Sequence, residues 1–257
     1  LIKEFCKISK MDAFFNQLLL NMQADLDRAA GEDEWLKALR DRDVVKIKEA
    51  AQASFSPDYM KSFIVKEYRE KFCRNELLVV LNWLKSPLGR KIAHLEMVSS
   101  DPKKAAEIRE YTLSIKNTPP SPERINLIHQ LDSATNTTER AVEAVVRTSL
   151  AIMIAAVEVK PNEQQPSIDQ LEEMFKEPLG KIRKEARDAV IASLFYTCRS
   201  LTHDEIKKYI SFASSLPGIV YHYTFMKGFK EGFTRGWYSF GRRVSEIIQA
   251  SDPKYEI

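Results

Sequence analysis

Glycine is scarce in this sequence, 8 residues in 257, which excludes a collagen-like repeat and a Gly-rich low-complexity chain. Cysteine is rarer still: only Cys6, Cys73 and Cys198 occur. Three thiols exclude a disulfide framework, allow at most one intrachain bridge, and leave open which pair would form it. None sits in a C-x-x-C pair or at metal-ligand spacing from a histidine, and the expected role of each is that of a small buried apolar residue. A dominant charge is missing as well. The 39 Lys and Arg face 36 Asp and Glu, a net charge of +3, so composition gives no concentrated basic face for nucleic acid or anionic membranes. Long apolar runs are absent too. The longest lies within Thr148–Val159, short of the roughly 20 residues that span a bilayer.

What the sequence does contain is helical periodicity. Leu77, Val80, Leu81 and Leu84 recur at i, i+3, i+4 and i+7, as do Ile206, Tyr209, Ile210 and Ala213, each set forming one apolar stripe. Period-2 alternation between turn signals, the mark of a half-buried strand, is hard to find. Ser56-Pro57, Asp101-Pro102 and Ser121-Pro122 each put a side-chain acceptor before a proline that needs no hydrogen bond, a helix-start signal. Ser167 with Gln170, and Thr202 with Glu205, read as capping boxes. Asn117–Pro122 and Lys160–Ser167 read as loops. The expectation is an all-α protein of about ten to twelve helices with no sheet.

An internal repeat organises the chain. Cys73-Arg74-Asn75-Glu76-Leu77 lies over Thr202-His203-Asp204-Glu205-Ile206 at an offset of 129, which carries Leu81 onto Ile210, Trp83 onto Phe212, Ser86 onto Ser215 and Gly89 onto Gly218. The Pro-containing break follows in both, as Pro87-Leu88 in the first copy and Leu216-Pro217 in the second. Nearer the starts, residues 2–13 lie over residues 125–136 at an offset of 123. The expected organisation is a first helical repeat over 1–116 and a second over 117–257, packed together. In this frame Cys73 occupies the cap position that Thr202 fills in the second copy. A thiol is a weaker acceptor than a hydroxyl, so the first helix is expected to be the less firmly capped.

The paired pattern of an aromatic or Leu, a capping residue, x-x-Glu-[Leu or Ile], then a large aromatic and Ser-Pro-x-Gly resembles the bacterial family called domain of unknown function 2059. It is carried by Phe72–Leu77 with Trp83–Gly89, and by Leu201–Ile206 with Phe212–Gly218. Ile2-Lys3-Glu4-Phe5 and Arg124–Ile128 are similar to the helix that opens each copy in that family. Cys73 and the order Leu216-Pro217 depart from the family pattern. The resemblance implies an all-helical protein exported to the periplasm or beyond after removal of a signal peptide, with no known activity. The opening ten residues contain no apolar h-region, and the signal is taken to be already gone.

No constellation for chemistry emerges. The glycines from Gly228 to Gly241 follow no strand, so neither a P-loop nor a dinucleotide fingerprint is supported, and neither H-E-x-x-H nor G-x-S-x-G occurs. His94 with Glu96, and His203 with Glu205, stand two apart and point away from each other on a helix. Neither metal nor cofactor is expected. Glu32-Asp33-Glu34 and Glu172-Glu173 fall near predicted helix starts, where the macrodipole favours negative charge. Cys6 and His129 occupy matching positions of the two copies, and would meet as thiol and imidazole only if their helices lay on a twofold axis.

The candidate site is the last long helix. Gly228, Gly232 and Gly236 recur every four residues, beside Phe225, Phe229, Phe233 and Trp237 at the same spacing. Each interior glycine costs roughly 1 kcal/mol relative to alanine, so something must offset the trio. Small residues four apart admit a close helix, with the rings as an interdigitating ridge. Three occupants stay open: another helix of the chain, with Ala141–Val159 as the candidate; a protein partner, second copy or apolar ligand; or a membrane surface, with Lys227, Lys230, Arg235, Arg242 and Arg243 snorkelling beside the rings. The functional expectation is a non-catalytic helical binding or structural module of the bacterial periplasm or envelope, contacting a protein partner or itself. The alternative is a carrier of an apolar, lipid-like small molecule held between the repeats. No nucleic acid and no transmembrane segment are expected.

Overall fold

The computed structural model describes residues 1–32, 41–158, 170 and 173–250. The readings that involve Asp33, Glu34, Val159, Lys160–Ser167 and Glu172 lie outside them. The described residues form twelve α-helices: α1 (Ile2–Ile8), α2 (Met11–Glu32), α3 (Asp41–Ser54), α4 (Pro57–Lys71), α5 (Arg74–Lys85), α6 (Pro87–Ser99), α7 (Ala105–Asn117), α8 (Pro122–Thr135), α9 (Thr137–Glu158), α10 (Leu179–Thr197), α11 (His203–Ala213) and α12 (Leu216–Gln249). A 3₁₀ turn at Pro102–Lys104 precedes α7, and no strand occurs among the described residues. The all-α expectation therefore holds.

Several helix starts rest on the residues that signalled them. Ser121 Oγ accepts from the Arg124 N–H at 3.3 Å, with Pro122 in the first turn. Thr202 and Glu205 close a capping box: the Glu205 N–H donates to Thr202 Oγ1 at 3.2 Å, and the Thr202 N–H to Glu205 Oε2 at 2.8 Å. Cys73 has nearly the same cap backbone as Thr202, φ −76° and ψ 162° against −71° and 163°. Its N–H donates to Glu76 Oε2 at 3.0 Å. Reciprocal bonds of this kind satisfy donors that the first helical turn leaves without partners.

Two compact units make up the chain: Leu1–Met11, Ile64–Glu143 and Gly180–Gly228 form the first, and Asp12–Phe63, Ala144–Leu179 and Phe229–Ile257 the second. Each draws segments from both halves of the sequence.

In the first unit, α1 packs on α5 and α8 on α11. Its core joins Ile92, Leu127, Ile128, Leu131, Phe195, Leu201, Ile206 and Tyr209, with Trp83 and Leu88 half-buried against it. The two Pro-containing breaks are built alike. Ser86 Oγ donates to the Trp83 carbonyl at 2.7 Å and accepts from the Gly89 N–H at 2.9 Å; Ser215 Oγ donates to the Phe212 carbonyl at 2.6 Å and accepts from the Gly218 N–H at 3.3 Å. A Cβ added to Gly89 would lie 2.0 Å from the Trp83 oxygen, and one on Gly218 2.0 Å from the Phe212 oxygen. Both corners thus require glycine for the same steric reason, the approach of a helix start to the carbonyl before the bend.

In the second unit, Phe15, Phe55 and Met60 are fully buried. The Phe55 ring meets those of Phe233, Trp237 and Phe240 at centroid distances of 5.6, 5.2 and 6.2 Å. Such tilted and edge-on contacts suit the ring quadrupole.

Candidate functional site

The close approach expected along α12 is present, and its occupant is the chain itself. In the first unit, a Cβ on Gly228 would stand 2.6 Å from Ile64 Cα and 2.8 Å from Ile64 N, so two backbones touch there. In the second unit, a Cβ on Gly232 would meet the Phe63 ring at 2.9 Å, and one on Gly236 the Phe55 ring at 2.5 Å and the Ser54 carbonyl at 3.0 Å. Residues 54–64, at the end of α3 and in α4, meet the glycines of the stripe, with large side chains, Phe55 and Phe63, opposite Gly236 and Gly232; the Ala141–Val159 candidate named from sequence lies partly outside the described residues.

The flanking rings follow the same logic. Phe229, Phe233 and Trp237 form a continuous aromatic line in the second unit, with Phe229 stacked on Phe233 at 5.1 Å and on Phe15 at 6.3 Å, and Phe233 edge-on to Trp237 at 5.9 Å. Phe233 is buried, while Phe225, Phe229 and Trp237 are half-buried. The glycines and much of the ring surface are thus spent inside the chain, which offsets the helix-propensity cost of the trio.

The basic residues beside them are also engaged. Lys227 pairs with the buried Glu67 at 2.9 Å, Arg235 with Glu231 at 2.6 Å, and Arg242 lies 4.0 Å from Glu246. Arg243 Nε donates to Ser239 Oγ at 3.4 Å.

A different face of α12 remains open, one that the sequence reading missed. Leu216, Ile219 and Tyr223 are 66 %, 51 % and 64 % exposed, and their spacing of three and four residues puts them on one stripe. At the sequence offset of 129 stand Pro87, Arg90 and His94, and Arg90 and His94 are exposed as well. The signal lay in the reversed dipeptide. In Pro87-Leu88 the leucine turns onto the core, whereas Leu216-Pro217 places the leucine outside.

Polar groups of the first unit gather around Glu96. The Tyr209 hydroxyl donates to Glu96 Oε1 at 2.6 Å. The surrounding protein raises the Glu96 pKa above the ordinary carboxylate value, against the opposing effects of the Tyr209 bond and the Arg140 charge. His222 Nε2 is buried without a hydrogen-bond partner. Burial first, and then the Arg140 charge, push the His222 pKa down to about 3.

Two open depressions occur in this unit. One, of about 440 Å³, is lined by residues including Asp132, Thr138, Glu139 and Arg183; the other, of about 590 Å³, by residues including Asn126, His129, Gln130 and Ser133. Most of the residues that line each are polar or charged, though the surface they present is more apolar than polar. In the first, Arg183 holds Glu139 through Nε at 2.9 Å and Nη2 at 3.1 Å.

No disulfide joins the cysteines: Cys73 is exposed, Cys6 half-buried and Cys198 buried. Burial pushes the Cys198 thiol up to about 12, the opposite of nucleophile activation. His129 Nδ1 is buried without a hydrogen-bond partner, so no thiol–imidazole bond to Cys6 is made through that atom. Among the described residues no group of three or more His, Cys, Asp or Glu is placed to hold a metal ion, and no helix is long and apolar enough to cross a membrane. No family model, no curated protein and no solved structure matches this chain.

Proposed function

We propose that this chain is a non-catalytic helical interaction module of the bacterial envelope, which binds protein through the Leu216–Ile219–Tyr223 face of α12. The observation that carries the reading is that stripe. Three large apolar side chains are held in water on a well-packed helix, where the matching helix of the first copy carries arginine and histidine. Exposed contiguous apolar surface of this kind marks contact sites on soluble proteins. The envelope location rests on the resemblance to the exported family.

A photo-crosslinking phenylalanine analogue at Tyr223, introduced in producing cells, tests the reading. Protein adducts from position 223 and none from His94, its counterpart in the first copy, are the expected result. Absence of any protein adduct from position 223 overturns it.

A further inference from the structure

We propose that Arg140 and His222 hold a small monovalent anion, a halide or a short carboxylate, inside the first unit. Arg140 stands near the start of α9, where its Nη1 donates to the Thr135 carbonyl at 3.2 Å. That acceptor is neutral. The guanidinium Nε is buried and has no hydrogen-bond partner, and among the described residues no carboxylate pairs with the group. Its charge acts on Tyr68, Glu96, Tyr221 and His222, so the guanidinium lies among side chains of α4, α6 and α12. Glu96 is committed elsewhere: its Oε1 accepts from the Tyr209 hydroxyl at 2.6 Å.

His222 supplies the second donor. Its Nε2 is buried without a hydrogen-bond partner, and a neutral imidazole can carry its proton on that nitrogen and donate it. Two nitrogens from two helices thus stand in one interior region with nothing to receive their protons. Water could accept the hydrogen bonds but leaves the guanidinium charge unbalanced, and an unpaired charge inside a protein is the costlier defect. An anion answers both needs, and one positive charge calls for one negative. Packing sets its size. Tyr68 is fully buried and lies parallel to Tyr221 at 6.2 Å, and the Phe5 ring stands edge-on to both, at 4.8 and 5.9 Å. Rings this close suit an ion of a few atoms and exclude a phosphate ester. Glu96 is exposed, which gives such an ion an approach from solvent.

The melting temperature of the whole chain tests the site. Sodium gluconate, with its bulky anion, sets the ionic-strength baseline, and chloride or formate then replaces gluconate at constant sodium. The expected result is a rise that saturates with concentration. Its apparent affinity should fall at least about tenfold in Arg140→Gln and in His222→Phe, and not in Arg90→Gln, at an exposed arginine of α6. Saturation by chloride alone makes the ligand a halide, by formate alone a carboxylate, and by both in competition any small anion. A second measurement needs no variant: bromide soaked into crystals of the unaltered chain, located by its anomalous scattering, should lie against Arg140 Nε and His222 Nε2. A melting temperature that follows ionic strength alone, an affinity unchanged in both variants, or bromide found only on the surface overturns the proposal.

Discussion

Trp83 and Phe212 stack face to face, with ring centroids 4.4 Å apart and planes 8° from parallel. They stand 129 residues apart, the offset that aligns the sequence of residues 73–89 with that of residues 202–218. Phe212 is buried and Trp83 half-buried against the core, so Phe212→Ala is expected to cost about 3 kcal/mol in urea unfolding. A double-mutant cycle with Trp83→Ala should show a coupling of about 1 kcal/mol, the usual worth of an aromatic pair beyond its buried area. Additive single effects would show that the rings are neighbours without mutual stabilisation.

The glycines of α12 and of α10 are expected to respond in opposite directions to alanine. At Gly228 a Cβ would fall 2.6 Å from the Cα and 2.8 Å from the N of Ile64, and backbone atoms cannot swing aside as a side chain can. Gly228→Ala should therefore destabilise by at least about 2 kcal/mol despite the gain in helix propensity. Gly232→Ala meets the edge of the Phe63 ring and should cost less. At Gly180 nothing lies within 4 Å of the added atom, so Gly180→Ala should stabilise by up to about 1 kcal/mol. Equal responses at Gly228 and Gly180 in chemical denaturation would rule out the tight seam.

How much of this was legible in the sequence follows from how local each feature is. The box at Thr202 and Glu205 and the cap at Ser121 involve residues three apart, so the sequence alone specifies them. The stripe Leu77, Val80, Leu81 and Leu84 is buried as its period required. Gly228, Gly232 and Gly236 announced a close helix but not which one, because their contacts at Ile64, Phe63 and Phe55 lie more than 160 residues away in the chain. No periodicity encodes that pairing. The Leu216-Pro217 reversal was visible as a departure from the first copy. Its consequence, a leucine placed outside, depends on the direction of a side chain at the first turn of a helix and so needed coordinates.

Cys73 offers a test of what a cap is worth. Its backbone matches that of Thr202, and its N–H already bonds Glu76. Only the side-chain acceptor differs. Serine at this exposed site supplies the hydroxyl that Thr202 supplies in the second copy, so Cys73→Ser should be neutral or stabilising by up to about 1 kcal/mol. Since no disulfide involves this thiol, reducing agent should leave the melting temperature unchanged in both proteins. A loss of several kcal/mol in Cys73→Ser would reveal a role for sulfur beyond the cap.

His222 should give the fold an acid-sensitive stability that begins well above the carboxylate range. Its folded pKa lies near 3, against 6.5 for the free side chain. Between those values the unfolded chain takes up a proton that the folded protein refuses. Stability is then fullest above about pH 6.5 and declines as the pH falls toward 3, by up to about 1.4 kcal/mol per pH unit. Surface carboxylates held low by lysines, such as Glu4 by Lys85 and Glu205 by Lys91, lose their contribution only below 4.5. The difference between the wild type and His222→Gln cancels these shared effects. In urea unfolding from pH 7 to pH 5, the wild type should lose stability relative to the variant with each step down. Parallel pH profiles for the two proteins would mean that the imidazole reaches water in the folded state and is free to take its proton.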